Sequence, residues 1–148
     1  MYVREAVLSD IPQLQIVRGA VTENVLSNPA LVTHAHYVDY LTQRGKGWVC
    51  ESGNTIVGFA VVSTADNNVW ALFILPAYEG QGIGKKLQQH MLQWYFAQTE
   101  KTVWLHTDAY SRAAAFYRKS GWKEVGWHNH QEIKFEMDFA TWQQLYNA

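Results

Sequence analysis

The residues in this chain best suited to binding chemistry are the glycines and lysines of Gly80-Gln81-Gly82-Ile83-Gly84-Lys85-Lys86. Three residues without side chains let a ligand approach main-chain N–H groups closely. The run from Val69 to Leu75 that precedes them is apolar without alternation, which predicts a strand covered on both faces. Pro76 cannot donate to a ladder and ends it. From Gly82 the apolar positions change to helical spacing, with Ile83, Leu87, Met91, Trp94 and Tyr95 on one stripe. The glycines therefore fall at a helix N-terminus, where unpaired donors and the helix dipole favour an anion. Lys85 and Lys86 oppose that dipole, and a bound phosphate would account for them.

Three phosphate-binding patterns compete with an ordinary strand-to-helix turn. A Walker-type loop needs Gly at position 79 and Ser or Thr at 86, where the chain has Glu79 and Lys86. A dinucleotide fingerprint needs G-x-G-x-x-G, whereas the spacing is G-x-G-x-G. The third pattern is a coenzyme A pyrophosphate loop. Glu79-Gly80-Gln81-Gly82-Ile83-Gly84 resembles the Gln/Arg-x-x-Gly-x-Gly/Ala motif of the GCN5-related N-acetyltransferase (GNAT) superfamily. Glu79 departs from the pattern at its first position.

Composition narrows the class. At 148 residues the chain is expected to form one domain, residues 1–148, with a sizeable core. Apolar residues make up 48%, which excludes general disorder. Lys and Arg number 12 against 13 Asp and Glu, so no basic excess supports nucleic-acid binding. No apolar run approaches the ~20 residues of a membrane span. A strand-like start at Tyr2-Val3-Arg4-Glu5-Ala6 is unlike a signal peptide, and a lone Cys50 excludes an internal disulfide. The expectation is a cytoplasmic protein with no membrane or nucleic-acid partner.

Punctuation and periodicity give the elements. Met1 to Ala6 is a strand. Ser9, Asp10 and Pro12 start a helix that carries Ile11, Leu14, Val17 and Val21 to about Asn24. A second helix runs from Thr33 to Arg44 with Gly45 as its C-cap. Trp48–Glu51 and Thr55–Ser63 form a hairpin about Ser52-Gly53-Asn54. After the long helix come a strand, Val103–Thr107, and a helix, Ser111–Ser120, closed by Gly121 and Trp122 in a Schellman-type cap. Glu132 to Phe139 alternates as a strand with one solvated face, and Trp142–Tyr146 adds a short helical end. The predicted order is β-α-α-β-β-β-α-β-α-β-β, an α/β fold with a single mixed sheet flanked by helices.

That order is similar to the GNAT arrangement along essentially the whole chain. A second segment, Arg112-Ala113-Ala114-Ala115-Phe116-Tyr117-Arg118-Lys119-Ser120-Gly121-Trp122, resembles the family's Asn-x-Arg-Ala-x-x-Phe-Tyr-x-x-x-Gly-Phe, with Tyr110 in place of Asn. The resemblance implies that strands Val69–Leu75 and Val103–Thr107 splay apart around the pantetheine arm of acetyl-CoA. Leu72, Phe73 and Ile74 would then pair with pantetheine like an added strand. Gly80, Gln81, Gly82, Ile83, Gly84 and Lys85 would hold the pyrophosphate, Tyr110 would contact coenzyme A, and Tyr117 would meet the cofactor and protonate its thiolate. The segment Asn24 to Pro29 would form part of the acceptor pocket.

Acetyl transfer needs a neutral amine, a polarised carbonyl and a stabilised thiolate. For a lysine-like amine, pKa near ~10.4, deprotonation at pH 7 costs ~4.6 kcal/mol; for an α-amino group near ~7.8 it costs about 1 kcal/mol. Base candidates are Glu132, His106 and Asp108, directly or through water, with Glu132 taken as the catalytic one beside Tyr117. A main-chain N–H near Ile74 is the candidate oxyanion donor. Arg18, Glu23 and Asp39 are unranked acceptor contacts. The pairs His34/His36 and His128/His130 read as surface histidines, so no metal is expected. The expected activity is transfer of acetyl from acetyl-CoA to a primary amine of a small molecule or peptide. A catalytically silent coenzyme A-binding regulatory domain is the alternative, with Glu79 and Tyr110 in its favour. The alternating last strand leaves a homodimer open.

Overall fold

The computed structural model describes residues 1–146. One seven-stranded sheet has the order β1-β2-β3-β4-β5-β7-β6. Its strands are β1 (Tyr2–Glu5), β2 (Gly45–Ser52), β3 (Thr55–Ser63), β4 (Asn68–Ile74), β5 (Val103–Asp108), β6 (Lys123–Trp127) and β7 (Glu132–Met137). Every neighbouring pair is antiparallel except β4 and β5. The helices are α1 (Ile11–Ala20), α2 (His34–Asp39), α3 (Ile83–Gln98), α4 (Arg112–Lys119) and α5 (Phe139–Tyr146). No described helix is long and apolar enough to cross a membrane.

Two cores lie on the two faces of the sheet. On one face α3 presses Ile83, Leu87, Met91 and Tyr95 against Val57, Val62, Leu105 and Phe135. On the other, α1 and α2 bring Ile11, Leu14, Val17 and Tyr37 against Val49, Phe59 and Val61. Alternation sorts β5 and β7: Val103, Leu105, Ile133, Phe135 and Met137 join the α3 core. Strand period 2 therefore turns Trp104, His106, Asp108, Glu132 and Lys134 to the α1 face of the sheet.

Several boundaries differ from the expectations above. The first helix stops at Ala20, not Asn24, because Val21 is extended and Asn24 sits in the left-handed region at φ 55°. The second helix passes from α2 into a π turn, Tyr40–Arg44. Gly45 is not a left-handed cap: its φ is −173° and it opens β2, three residues before the predicted start. It is glycine because a Cβ there would lie 1.8 Å from the Val62 carbonyl oxygen. The cap on α4 forms as expected. Gly121 has φ 90°, its N–H donates to the Arg118 carbonyl, and the Trp122 N–H donates to that of Tyr117.

Strand β4 was expected to be covered on both faces, yet Trp70 and Leu72 to Ile74 are only half-buried. Two features open it. In the ladder with β3, Val61 pairs with Ala71 and Val62 with Val69, so Trp70 is an extra residue and bulges the strand. Towards β5, only Asn68 pairs, with Trp104. Side chains lock that end: the Trp104 indole donates to the Asp66 carbonyl, the Asn68 amide to the Trp104 carbonyl, and the Tyr95 hydroxyl to Asn67. Beyond this point β4 and β5 diverge.

Candidate active site

The gap between β4 and β5 opens into a cleft of about 1180 Å³, lined by the ends of both strands, the glycine loop, α4 and the segment after α1. Ladder parity decides which main-chain groups of β4 face it. Leu75 N–H donates to Val57 on β3, and Phe59 pairs with Phe73 two residues on. Hydrogen-bonding groups alternate sides along an antiparallel strand. Phe73 therefore bonds towards β3, and the N–H and C=O groups of Leu72 and Ile74 point into the gap. Of the three residues expected to pair with a ligand, two have their backbone turned the right way. Phe73 lines the cleft through its ring instead, on the α1 face.

At the mouth of the cleft the glycine loop enters α3. The first backbone bond into the helix runs from Lys86 N–H to the Gly82 carbonyl. Among the described residues, the amides of Gly80, Gln81, Gly82, Ile83, Gly84 and Lys85 have no hydrogen-bond partner, and no side chain caps the helix. Six free donors at a helix N-terminus form a concavity suited to an anion. The glycines have different reasons. Gly80 and Gly82 have φ of 75° and 81° with open space where a Cβ would stand, so backbone conformation selects them. Gly84 is helical, and its Cβ would meet Ile74 Cδ1 at 3.2 Å, so close packing selects it. Glu79 forms an ion pair with Arg112 Nε at 3.2 Å, which neutralises the carboxylate beside the anion site.

The α3 face of the gap carries Tyr117. It is buried against Phe116, Trp122 and Phe135, lines the cleft, and its hydroxyl has no hydrogen-bond partner among the described residues. Burial pushes its pKa well above that of an ordinary phenol, so the hydroxyl is held protonated at neutral pH. The α1 face carries His106 and Glu132 on adjacent strands, with His106 Nδ1 2.7 Å from Glu132 Oε2. Burial opposes ionisation of Glu132. The hydrogen bonds from His106 and from Asn129, with the attraction of His106 and His128, outweigh it and hold the carboxyl below its usual range. A depressed carboxylate is a poor base but a good orienting partner for an imidazole.

His128 stacks on His106 with ring centroids 3.9 Å apart and planes 3° apart. His106, His128 and Glu132 offer ligand atoms within 4.8 Å of one another. Imidazole binds a metal in its ring plane, and one ion cannot lie in two parallel planes this far apart. His34 and His36 sit on exposed α2, where His36 Nδ1 accepts from Thr33 N–H in a capping box.

Other expected residues are placed less centrally. Tyr110 is 95% exposed and lines a separate, smaller depression. Gln81 is exposed and contributes only its amide. Asp39 pairs with Arg44 away from the cleft. Asp108 lines the cleft, and its amide donates to Asn24 Oδ1 at 2.8 Å, which ties the segment after α1 across β5. Glu23 accepts from the Arg112 amide in the same seam. The Trp70 bulge, the Glu79–Arg112 pair and the His106–His128 stack escaped the sequence reading. No local pattern encodes them, since each joins residues distant in sequence or depends on register.

Comparison with known proteins agrees with this geometry. The sequence profile of the acetyltransferase (GNAT) domain matches residues 43–124, more than half of the chain. A [ribosomal protein bS18]-alanine N-acetyltransferase of Haemophilus influenzae is 32% identical over 74 residues. That match spans about half of each protein, 49% of this chain and 51% of the relative. Among solved structures, the PaiA N-acetyltransferase of Thermoplasma acidophilum, in complex with coenzyme A, has a TM-score of 0.80 at 15% identity, covering 93% of this chain and 98% of that one. The ribosomal-protein-alanine N-acetyltransferase of Brucella melitensis has a TM-score of 0.75 at 19% identity, covering 93% and 99%. At such identities these two show the fold alone. A split between the one parallel strand pair, a partnerless amide loop at its mouth and the profile match lead to one conclusion: the chain belongs to the GNAT acetyltransferase family.

Proposed function

We propose that this protein transfers an acetyl group from acetyl-CoA to a primary amine by direct attack on the thioester. The observation that carries the proposal is the alignment of three donor sets along one cleft: free amides at Gly80 to Lys85, free backbone at Leu72 and Ile74, and the Tyr117 hydroxyl beyond them.

Acetyl-CoA supplies the acetyl group, activated as a thioester. The amides of Gly80 to Lys85, with Lys85 beside them, hold its diphosphate. Leu72 and Ile74 hold the amide-bearing arm as an additional strand would. The Ile74 N–H donates to the carbonyl oxygen as negative charge develops there. On the α1 face His106, held by Glu132, accepts the proton that the attacking amine loses. On the α3 face Tyr117 gives a proton to the departing sulfur. Separating acid and base across the sheet keeps the two proton transfers from short-circuiting. Glu132 is then a positioning residue, and the catalytic pair is His106 and Tyr117. This revises the assignment of Glu132 as the base, because the hydrogen bonds that depress its pKa weaken it in that role.

The test is release of free thiol from acetyl-CoA with a panel of amines. The reading predicts amine-dependent release that His106→Ala and Tyr117→Phe each reduce on the order of 10²-fold or more. Coenzyme A binding without thiol release for any amine would instead support the silent binding domain.

A further inference from the structure

From the environment of Arg18 we infer that the acceptor is an amine that also carries a carboxylate, which Arg18 binds. This deepens the acetyl-transfer reading and rests on it. Arg18 lies in the last turn of α1 and lines the cleft. Its guanidinium carbon stands 4.0 Å above the centroid of the Phe73 ring. Phe73 faces α1, and the next residue, Ile74, presents its N–H to the gap. The guanidinium is therefore one residue from the place where the thioester carbonyl is held.

What sets Arg18 apart is that nothing in the protein satisfies it. Its Nη1 is enclosed by the protein and has no hydrogen-bond partner among the described residues. No carboxylate of the described residues forms an ion pair with it. By contrast, Arg4, Arg44, Arg112 and Arg118 all have acidic partners. A buried charge is ordinarily paired, because desolvation without a partner is costly. Burial indeed lowers the pKa of Arg18, with only the nearby Tyr37 phenol opposing. Phe73 packs on the cation but cannot accept its N–H groups, so a ligand in the cleft that this half-buried residue lines is the remaining source of an acceptor.

A planar guanidinium that no acceptor of the described residues engages matches a carboxylate in shape and charge. Across the gap, on the same face of the sheet, the lining turns acidic with Asp108 and Glu132. A cation on one wall and carboxylates on the other orient a zwitterion: its ammonium goes towards β5 and β7, where His106 waits, and its carboxylate towards α1. The same arrangement disfavours a polyamine, whose second cation would meet Arg18.

The experiment uses matched pairs, alanine with alaninamide and short dipeptides as free acids with their carboxamides. For each, kcat/KM for thiol release is measured with the wild-type protein and with Arg18→Met, which keeps an apolar stem over Phe73. The double ratio, acid over carboxamide in the wild type divided by the same in the variant, cancels differences in amine pKa. The expected value is roughly 10 to 100, the strength of a charge-assisted hydrogen bond. Arg18→Lys should restore only part of it. A double ratio near one, or a change confined to the KM for acetyl-CoA, overturns the inference. Calorimetric binding of the same pairs to the coenzyme A-loaded protein reads Arg18 without turnover. An acid preference that Arg18→Met abolishes supports the inference even without thiol release, and the transfer reading is then the one that fails. Equal binding of acid and carboxamide by the wild type overturns the inference and leaves the transfer reading standing.

Discussion

In the proposed mechanism Tyr117 and the His106–Glu132 pair divide the proton transfers, and their surroundings are the reason for assigning each group its part. Because burial raises the Tyr117 pKa, the phenol stays protonated throughout the neutral range. Tyr117→Phe should lower kcat by about 10²-fold and leave the KM for acetyl-CoA nearly unchanged, since it removes the proton-donating hydroxyl and keeps the packed ring. Steady-state kinetics checks this. Glu132 stays ionised to a lower pH than an ordinary carboxylate. Its orienting role should therefore persist as pH falls through the usual carboxylate range near ~4.3. Glu132→Gln should lower kcat while leaving a shallower dependence on pH, whereas loss of a true base would abolish the basic-limb activity altogether. The sequence offered Glu132, His106 and Asp108 as base candidates, with Glu132 taken as the catalytic one. What ranks them is the register Asp108↔Glu132 and His106↔Lys134, which brings His106 and Glu132 to one face of the sheet within hydrogen-bond reach. Neither residue type nor local spacing carries that information. Arg18 was in the same position: it stood among unranked acceptor contacts, and only packing reveals that it lacks a partner.

The glycine loop and its helix were the most legible elements, because a change of hydrophobic period and three glycines act over a few residues. Their individual reasons were not legible. Gly82 caps α3 in the left-handed region with open space around it, so Gly82→Val should cost about 1–2 kcal/mol in strain and weaken coenzyme A binding. Gly84→Val should instead force Ile74 and Phe116 aside and lower stability more than binding requires. Thermal melts with and without coenzyme A separate the two. The strand Thr55–Ser63 was read to the residue from its β-branched run. The bulge at Trp70 was not, since a bulge is defined by the partner strand. Under β1, Arg4 donates to both oxygens of Asp10 at 2.9 Å, and the Val7 amide adds a third bond. The Arg4 hydrogen bonds, against the opposing effect of burial and with help from Val7, lower the Asp10 pKa. A carboxyl depressed in the folded state contributes stability that is complete above the unfolded value near ~3.9 and is lost as pH falls through the folded value. Asp10→Asn should therefore destabilise at neutral pH by about 1.5–3 kcal/mol and flatten the acid part of the stability curve, as chemical denaturation across pH would show.

At the scale of the molecule, one parallel strand pair is locked at Asn68 and Trp104 and then left open, and the rest of the fold keeps it so. Helix α3 holds the far side of β4 through Ile83 and Leu87, α1 covers the opposite face, and β7 takes the free edge of β5. The element order and the chain-long resemblance were visible in the sequence because they rest on periodicity and short motifs. The divergence of β4 from β5 was implied by the resemblance alone, since splaying arises from the bulge, the sheet twist and the side-chain lock together. Ligand binding to such a prepared gap should stabilise the whole domain. Saturation with coenzyme A at about 100 times its Kd should add ~2.7 kcal/mol. That corresponds to a rise in Tm of several degrees for a chain of this size. The central claim concerns named amides, so the most direct measurement is residue-resolved amide hydrogen exchange with and without acetyl-CoA. The account predicts that the amides of Leu72, Ile74 and Gly80 to Lys85 exchange freely in the ligand-free protein and become protected on binding, while Phe73, already bonded to β3, changes little. Protection of Phe73 with Leu72, Ile74 and the glycine loop left exchanging would contradict it.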